Sequence, residues 1–180
     1  TQTPAIVYRD RDVRISEFVS DPVSGEKEWV EIQNETQGAI DLEGWSVREA
    51  SGRVNKAPSV QIAPQGFAVI EMNSGALNND ADTIEILDPT GAVIDRLLYG
   101  TGSVPAAEDP LSVAKDEFGA FVATMTPTPG SKNIIKKPEV KSESASAQTQ
   151  SQTQNKTETS SPNSSSAGSA DAHAAGNTAA

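Results

Sequence analysis

The sequence predicts an all-β domain, an antiparallel sandwich or barrel of about seven to nine short strands. Apolar and polar residues alternate in short runs rich in Val and Ile, the period-2 signature of half-buried strands. Turn residues recur every 8–12 residues between those runs. No stretch repeats its apolar residues with the period of an amphipathic helix, about 3.6 residues.

The chain is organised around Asp12 to Asn34. Val13 and Ile15 alternate with Arg14 and Ser16 in a first strand. Val30 and Ile32 alternate with Trp29, Glu31 and Gln33 in a second. Between them, Ser20-Asp-Pro-Val-Ser-Gly25 supplies side chains that bond backbone, a fixed φ and a glycine for φ > 0. Ahead of this pair, Ile6, Val7 and Tyr8 form a lead-in or edge strand within residues 1–11. After it, Glu35-Thr-Gln-Gly38 makes a turn, and Ile40-Asp-Leu-Glu-Gly44 leads into a strand over 45–48. Residues 49–58 are polar, with Ser51-Gly52 as a turn signal. Val60 and Ile62 suit a short strand, followed by the tight turn Ala63-Pro-Gln-Gly66. The run 67–72, FAVIEM, is nearly all apolar, which predicts a central strand. A loop rich in Asn and Asp fills 73–82. Residues 83–87 and 92–99 flank Asp88-Pro-Thr-Gly91, the clearest hairpin in the chain. After a longer loop, 111–114 and 118–122 predict a last strand pair around Lys115-Asp-Glu117. Thr126-Pro-Thr-Pro-Gly130 closes the domain as a rigid extended segment.

Composition divides the chain into a domain over 12–133, with its lead-in at 1–11, and a tail over 134–180. Residues 1–133 carry 10 basic and 21 acidic side chains, and 134–180 carry 4 of each, so the whole charge of −11 sits on the first part. In the tail, Ser, Thr, Ala, Gln and Asn fill 31 of 47 positions, with no aromatic residue. Such a segment buries too little apolar surface to offset the entropy of ordering it, so disorder is expected there. An acidic domain repels phosphate at long range, which disfavours nucleic acid as a partner. There is no cysteine, which removes disulfides, thiolate metal sites and cysteine nucleophiles. No apolar run approaches the roughly 18 residues of a membrane span. The start at Thr1-Gln-Thr-Pro is read as that of a processed form or of part of a longer product.

The ordered series VRISEF, EKEWVEIQN, IDLEGWSV, IAPQGFAVI, DTIEILDPTGAVID and TPTPGSKN resembles the lamin tail domain, in the form found in bacterial exported proteins. The resemblance covers Val13 to Asn133, and its most specific parts are E-W-V-E…N, D-L-x-G-W and T-P-T-P-G-x-x-N. It departs at Glu71-Met-Asn-Ser-Gly75, a short loop where similar domains are often longer. The resemblance implies an immunoglobulin-like β-sandwich without established catalytic residues. It also implies protein and chromatin contacts, in animals at nuclear lamins. In bacteria it implies export or surface attachment, at times beside hydrolase or nuclease domains.

The residues offer little chemistry of their own, and no catalytic, cofactor-binding or metal-binding residue is expected. The only histidine, His173, lies in the tail, so a held imidazole for a catalytic triad is not expected in the domain. Glu28 and Glu31 lie three apart on opposite strand faces, and the acids are expected to be solvated surface groups. Asn78-Asn-Asp-Ala-Asp82 spaces oxygen atoms as calcium loops do, but lacks their glycine and distal glutamate, so a polar turn is expected. Trp29 and Trp45 sit among strand residues, which favours packing over ligand stacking, and Glu31 and Asn34 suit bonds from side chain to loop backbone. Arg9 and Arg11 would share a strand face as a small basic stripe. Asn34, Asn155 and Asn163 head glycosylation sequons, which matter only in a secreted eukaryotic protein.

The expectation is therefore a non-enzymatic module for protein interaction or spacing. It would sit in an exported or surface-attached protein, with a protein or cell-envelope component as partner and the tail as a flexible tether. The alternatives are an accessory domain of an exported hydrolase or nuclease whose catalytic part lies outside these residues, and a nucleic-acid-binding module.

Overall fold

A computed structural model describes residues 7–106 and 108–138, and among these residues it has eleven β-strands and no helix. The first sheet has five strands: β1 (Val13–Val19), β2 (Trp29–Asn34), β7 (Phe67–Glu71), β10 (Ser112–Lys115) and β11 (Phe121–Thr124), in the order β11-β10-β1-β2-β7. The second has four: β4 (Ser46–Glu49), β5 (Val54–Lys56), β8 (Asp82–Leu87) and β9 (Val93–Tyr99), in the order β5-β4-β8-β9. The pair β3 (Ile40–Asp41) and β6 (Gln61–Ile62) stands beside them. All strand pairings are antiparallel, and the two larger sheets form a sandwich. The count exceeds seven to nine because the lead-in at 40–44 holds the two-residue β3 and the polar stretch 49–58 holds β5, which lacks apolar alternation.

The core lies between the sheets. Ile15, Phe18, Val30, Ile32, Ile70 and Val113 meet it from the first sheet, and Val47, Ile84, Ile86 and Ile94 from the second. Each such side chain contributes about 2 kcal/mol by leaving water. Trp45 and Tyr99 are also sealed in. Tyr8 packs edge-on against Trp45 with ring centroids 4.7 Å apart, and Phe18 lies 4.6 Å from Tyr99. Trp45 is thus a core residue. Trp29, on the opposite face of its sheet, is half-buried beside Val19, Pro127 and Pro129.

Three expectations are corrected. The run 67–72 is not central, because β7 is the outer strand of its sheet. Ala68, Ile70 and Met72 face the core, while Phe67 lines a groove on the other face. The polar stretch 49–58 holds β5, whose inward residue is Asn55, with its Oδ1 accepting from the Asn73 N–H at 2.8 Å. Arg9 and Arg11 do not form a strand stripe. Asp12 Oδ2 accepts from the Arg9 N–H at 2.8 Å, Arg11 has φ 75°, and the first strand starts at Val13.

Register in β1 decides which of its side chains reach the core. Val13 and Ile15 face inward, as alternation predicts. A bulge then falls between Ile15 and Glu17, so the next inward residue is Phe18. One extra residue moves every later side chain to the other face. Glu17 therefore leaves the core face and stands directly opposite Glu31 on the outer face.

Ordered packing continues past Asn133. The Met125 N–H donates to the Lys136 carbonyl at 2.8 Å, and Thr124 Oγ1 accepts from the Lys136 N–H at 2.9 Å. All described residues fall within one unit, and the expected disordered tail lies outside them from residue 139 on, as do His173, Asn155 and Asn163.

Candidate functional site

The acidic side chains were expected in solvent, with Glu31 also read as bonding loop backbone, and the structure buries six of them. Glu17, Glu28, Glu31, Glu49, Asp82 and Asp88 are buried. Each accepts hydrogen bonds that a loop would otherwise leave unmade. Glu28 Oε2 takes the Ala76 and Leu77 N–H groups at 2.8 and 3.0 Å. Glu49 holds the Ser51–Arg53 turn through both backbone N–H groups, and Asp88 holds Thr90 and Ala92 of the hairpin in the same way. Burial pushes both carboxyls up, but these donors outweigh it and leave them below the usual range.

The stretch Asn78-Asn-Asp-Ala-Asp82, where a polar turn was expected, is held by Asp82. Asp82 Oδ2 accepts from the Asn78 backbone and side chain, each at 3.1 Å. Its Oδ1 accepts from the Ala50 and Thr83 N–H groups at 3.0 and 2.7 Å. Oxygens aimed at N–H donors are set for anionic acceptance rather than for a cation. Among the described residues no cluster of three or more His, Cys, Asp or Glu is placed to hold a metal. Asn34 is buried, and its Nδ2 donates to the carbonyls of Gly38, Ile62 and Ala63 at 2.7, 3.1 and 3.1 Å. That nitrogen is committed to three carbonyls in two segments and does not present a glycan acceptor in the folded domain.

Among the described residues Glu17 and Glu31 are the carboxylates paired directly across strands, where acid–base chemistry could rest, and they are roofed. Thr128 donates its N–H and hydroxyl to Glu17 Oε2 at 3.0 and 2.8 Å, and Ser112 donates to Oε1 at 2.5 Å. The Gly130 N–H donates to Glu31 Oε2 at 2.6 Å, and the Ser16 hydroxyl donates to Oε1. Burial, and then the charge of Glu17, raise the Glu31 carboxyl to about 7, although the Ser16 and Gly130 donors pull it down. The segment T-P-T-P-G thus lies over the outer face as a clip. Its prolines fix an extended path and its non-proline N–H groups supply the donors. Asn133 fastens the far end, donating Nδ2 to the Ser16 and Lys115 carbonyls at 2.9 Å each. The bulge is what leaves the Ser16 carbonyl outside the strand ladder to accept it. Both glutamates are fully enclosed, so no substrate reaches them.

Beyond the clip the surface opens into a groove of about 890 Å³. It runs between the β10–β11 hairpin tip, the start of β7 and residues 132–137. Phe67, Phe118 and Ile135 give it apolar walls, and Lys115, Lys132 and Lys137 give it cations. Lys115 sits low in it, 3.5 Å from Glu35, and burial followed by the charge of Arg14 lowers its ammonium against the pull of Glu35. Phe118 is 87% exposed. It is held out by a stiff tip in which Asp116 Oδ1 accepts from the Phe118 and Ala120 N–H groups, each at 2.9 Å. None of these groove residues stood out in the sequence as a site. The signals present were an aromatic in a turn and lysines clustered near the domain's end.

The family model for the Lamin Tail Domain matches residues 7–101. The chain belongs to the lamin tail domain family. Membership accords with the immunoglobulin-like sandwich seen here and with a family not known for catalysis. A search of curated proteins finds no match. The lamin-tail match ends within the loop after β9, so β10, β11 and the clip lie outside it, although the resemblance of the sequence ran on to Asn133. The matched residues form the sandwich, and the unmatched ones complete its first sheet and build most of the groove. No described helix is long and apolar enough to cross a membrane.

Proposed function

We propose that this chain is a non-catalytic lamin-tail module that serves protein interaction or spacing in an exported or surface-attached protein. The observation that carries this reading is how the buried acids are used. All six bond backbone or hydroxyl donors of the fold, and the facing pair is closed to substrate. A protein that spends its carboxylates on loop geometry builds a rigid platform. Presentation of a surface is the role such a platform supports. The Ser, Thr, Ala and Gln-rich composition of 134–180 suits a tether.

The test is to fractionate the native source, to read the whole coding frame and to cross-link the protein in place. Recovery with the envelope or medium, cross-linked to a protein there, is the expected result. A cytoplasmic product with no envelope contact refutes the export part. A catalytic domain in the same frame would make this an accessory domain of an enzyme instead.

A further inference from the structure

We propose that the groove between Phe67, Phe118 and residues 132–137 binds an extended acidic peptide segment that carries an aromatic or aliphatic anchor. The proposal rests on the reading of this chain as an interaction module and names the chemistry of its partner. Charge complementarity selects the occupant. The chain has a net charge of −11, yet Lys132 and Lys137 stand exposed on this one recess, with Lys115 deeper in it and paired with Glu35. Two acids also line it: Asp116, whose Oδ1 is turned to the N–H groups of its own turn, and Glu117. An acidic segment is repelled by most of the domain and attracted here, so the field both steers it and fixes where it lands.

The apolar wall selects the anchor. Phe118 stands 87% exposed on a turn closed by Asp116 and by Gly119 at φ 84°. An aromatic side chain held out on a rigid turn, facing the half-buried Phe67 and Ile135, is pre-organised to close over one apolar residue. Gln33 and Gln65 line the same recess and offer amide groups to a peptide backbone, although Gln65 Nε2 also donates to the Thr36 carbonyl at 3.3 Å. Nucleic acid would match the lysines, but its continuous charge would extend over the acidic surface beyond them. A peptide needs only a few carboxylates within the groove.

The experiment pans a random ten-residue phage library on the intact chain. Enriched peptides are then titrated by fluorescence anisotropy, with a duplex DNA oligonucleotide in parallel. The variants are Phe118→Ser and the double variant Lys132→Glu/Lys137→Glu, all at exposed positions, so the sandwich is left intact. The expected result is enrichment of acidic peptides with an aromatic or aliphatic centre. Binding should weaken about tenfold or more in either variant and fall as salt is raised. No enrichment, enrichment of basic peptides, or binding indifferent to both variants overturns the proposal. So does DNA binding that is lost in the same variants, which would make the groove a polyanion site. If peptides fail while the native protein still cross-links an envelope partner, the groove is wrong and the module reading stands. If peptides bind as expected but the native product is cytoplasmic, the groove stands and export is wrong.

Discussion

Replacing Glu31 by Gln is expected to remove a pH dependence that the wild-type domain has in the neutral range. The folded protein holds the Glu31 proton up to about 7, chiefly because the carboxyl is buried and secondarily because Glu17 faces it. The unfolded chain releases that proton near 4.5. Between these values the native state binds more protons than the unfolded one, so stability falls as pH rises. The contribution is fully present below 4.5 and is lost as pH passes through about 7. The gap corresponds to about 3 kcal/mol in full, of which about 2.5 kcal/mol falls between pH of about 5 and about 8. Glu31→Gln keeps the shape but loses one acceptor for Ser16 or Gly130, at about 1–3 kcal/mol whatever the pH. Urea unfolding followed by the fluorescence of Trp29 and Trp45 measures both proteins across this range. The wild-type advantage over the variant should shrink by about 2.5 kcal/mol from the acid to the alkaline end. A difference that stays flat to within about 0.5 kcal/mol would show that Glu31 titrates alike in both states, and the reasoning from burial and facing charge would be refuted.

Asp88→Asn should show the opposite trend. The Asp88 carboxyl is held low by Thr90 and Ala92 donors despite its burial, so the variant should lose about 1–2 kcal/mol near neutral pH and progressively less as acid protonates the wild type, measured by the same unfolding series. Gly100→Ala should be among the most damaging single changes. At φ 77° an added Cβ would lie 1.8 Å from the Asp80 carbonyl oxygen, so a loss of about 3 kcal/mol or more is expected as a lowered melting midpoint. Asn34→Ala strips donors from three carbonyls and should cost about 3 kcal/mol by chemical denaturation. Asn133→Ala should loosen the clip, with faster hydrogen exchange at Thr128 and Gly130 and little change at Val30 or Ile32 in the core.

Most of the sandwich is legible in the sequence because strand alternation and turn chemistry are local. The strands around Val13, Trp29 and Thr83 and the Asp88–Gly91 turn needed no knowledge of their neighbours. Failures came where a residue's role depends on a distant segment. The run 67–72 reads as central because both faces are apolar, but its position in the sheet is set by pairing with β2 alone. Asn55 reads as a loop residue because its value lies in one bond to Asn73, across the sandwich. Glu17 looks like surface charge until the clip brings its donors. One signal was present in VRISEFV: keeping Ile15 and Phe18 both inward requires one residue more than alternation allows, which is the bulge. The groove was not legible, since its walls come from four segments that meet only after folding.

The clip also sets an order of events. Glu17 and Glu31 receive their roof from Thr128 and Gly130, 111 and 99 positions further along the chain. A chain emerging from the ribosome presents β1 and β2 long before their cover exists. Until residue 130 is free to fold back, the two carboxylates face water side by side and repel each other. Synthesis therefore finishes the domain by sealing what it began with. A product cut short before Thr126 would lack the last strands' lock and would also carry a charged seam along its oldest strands.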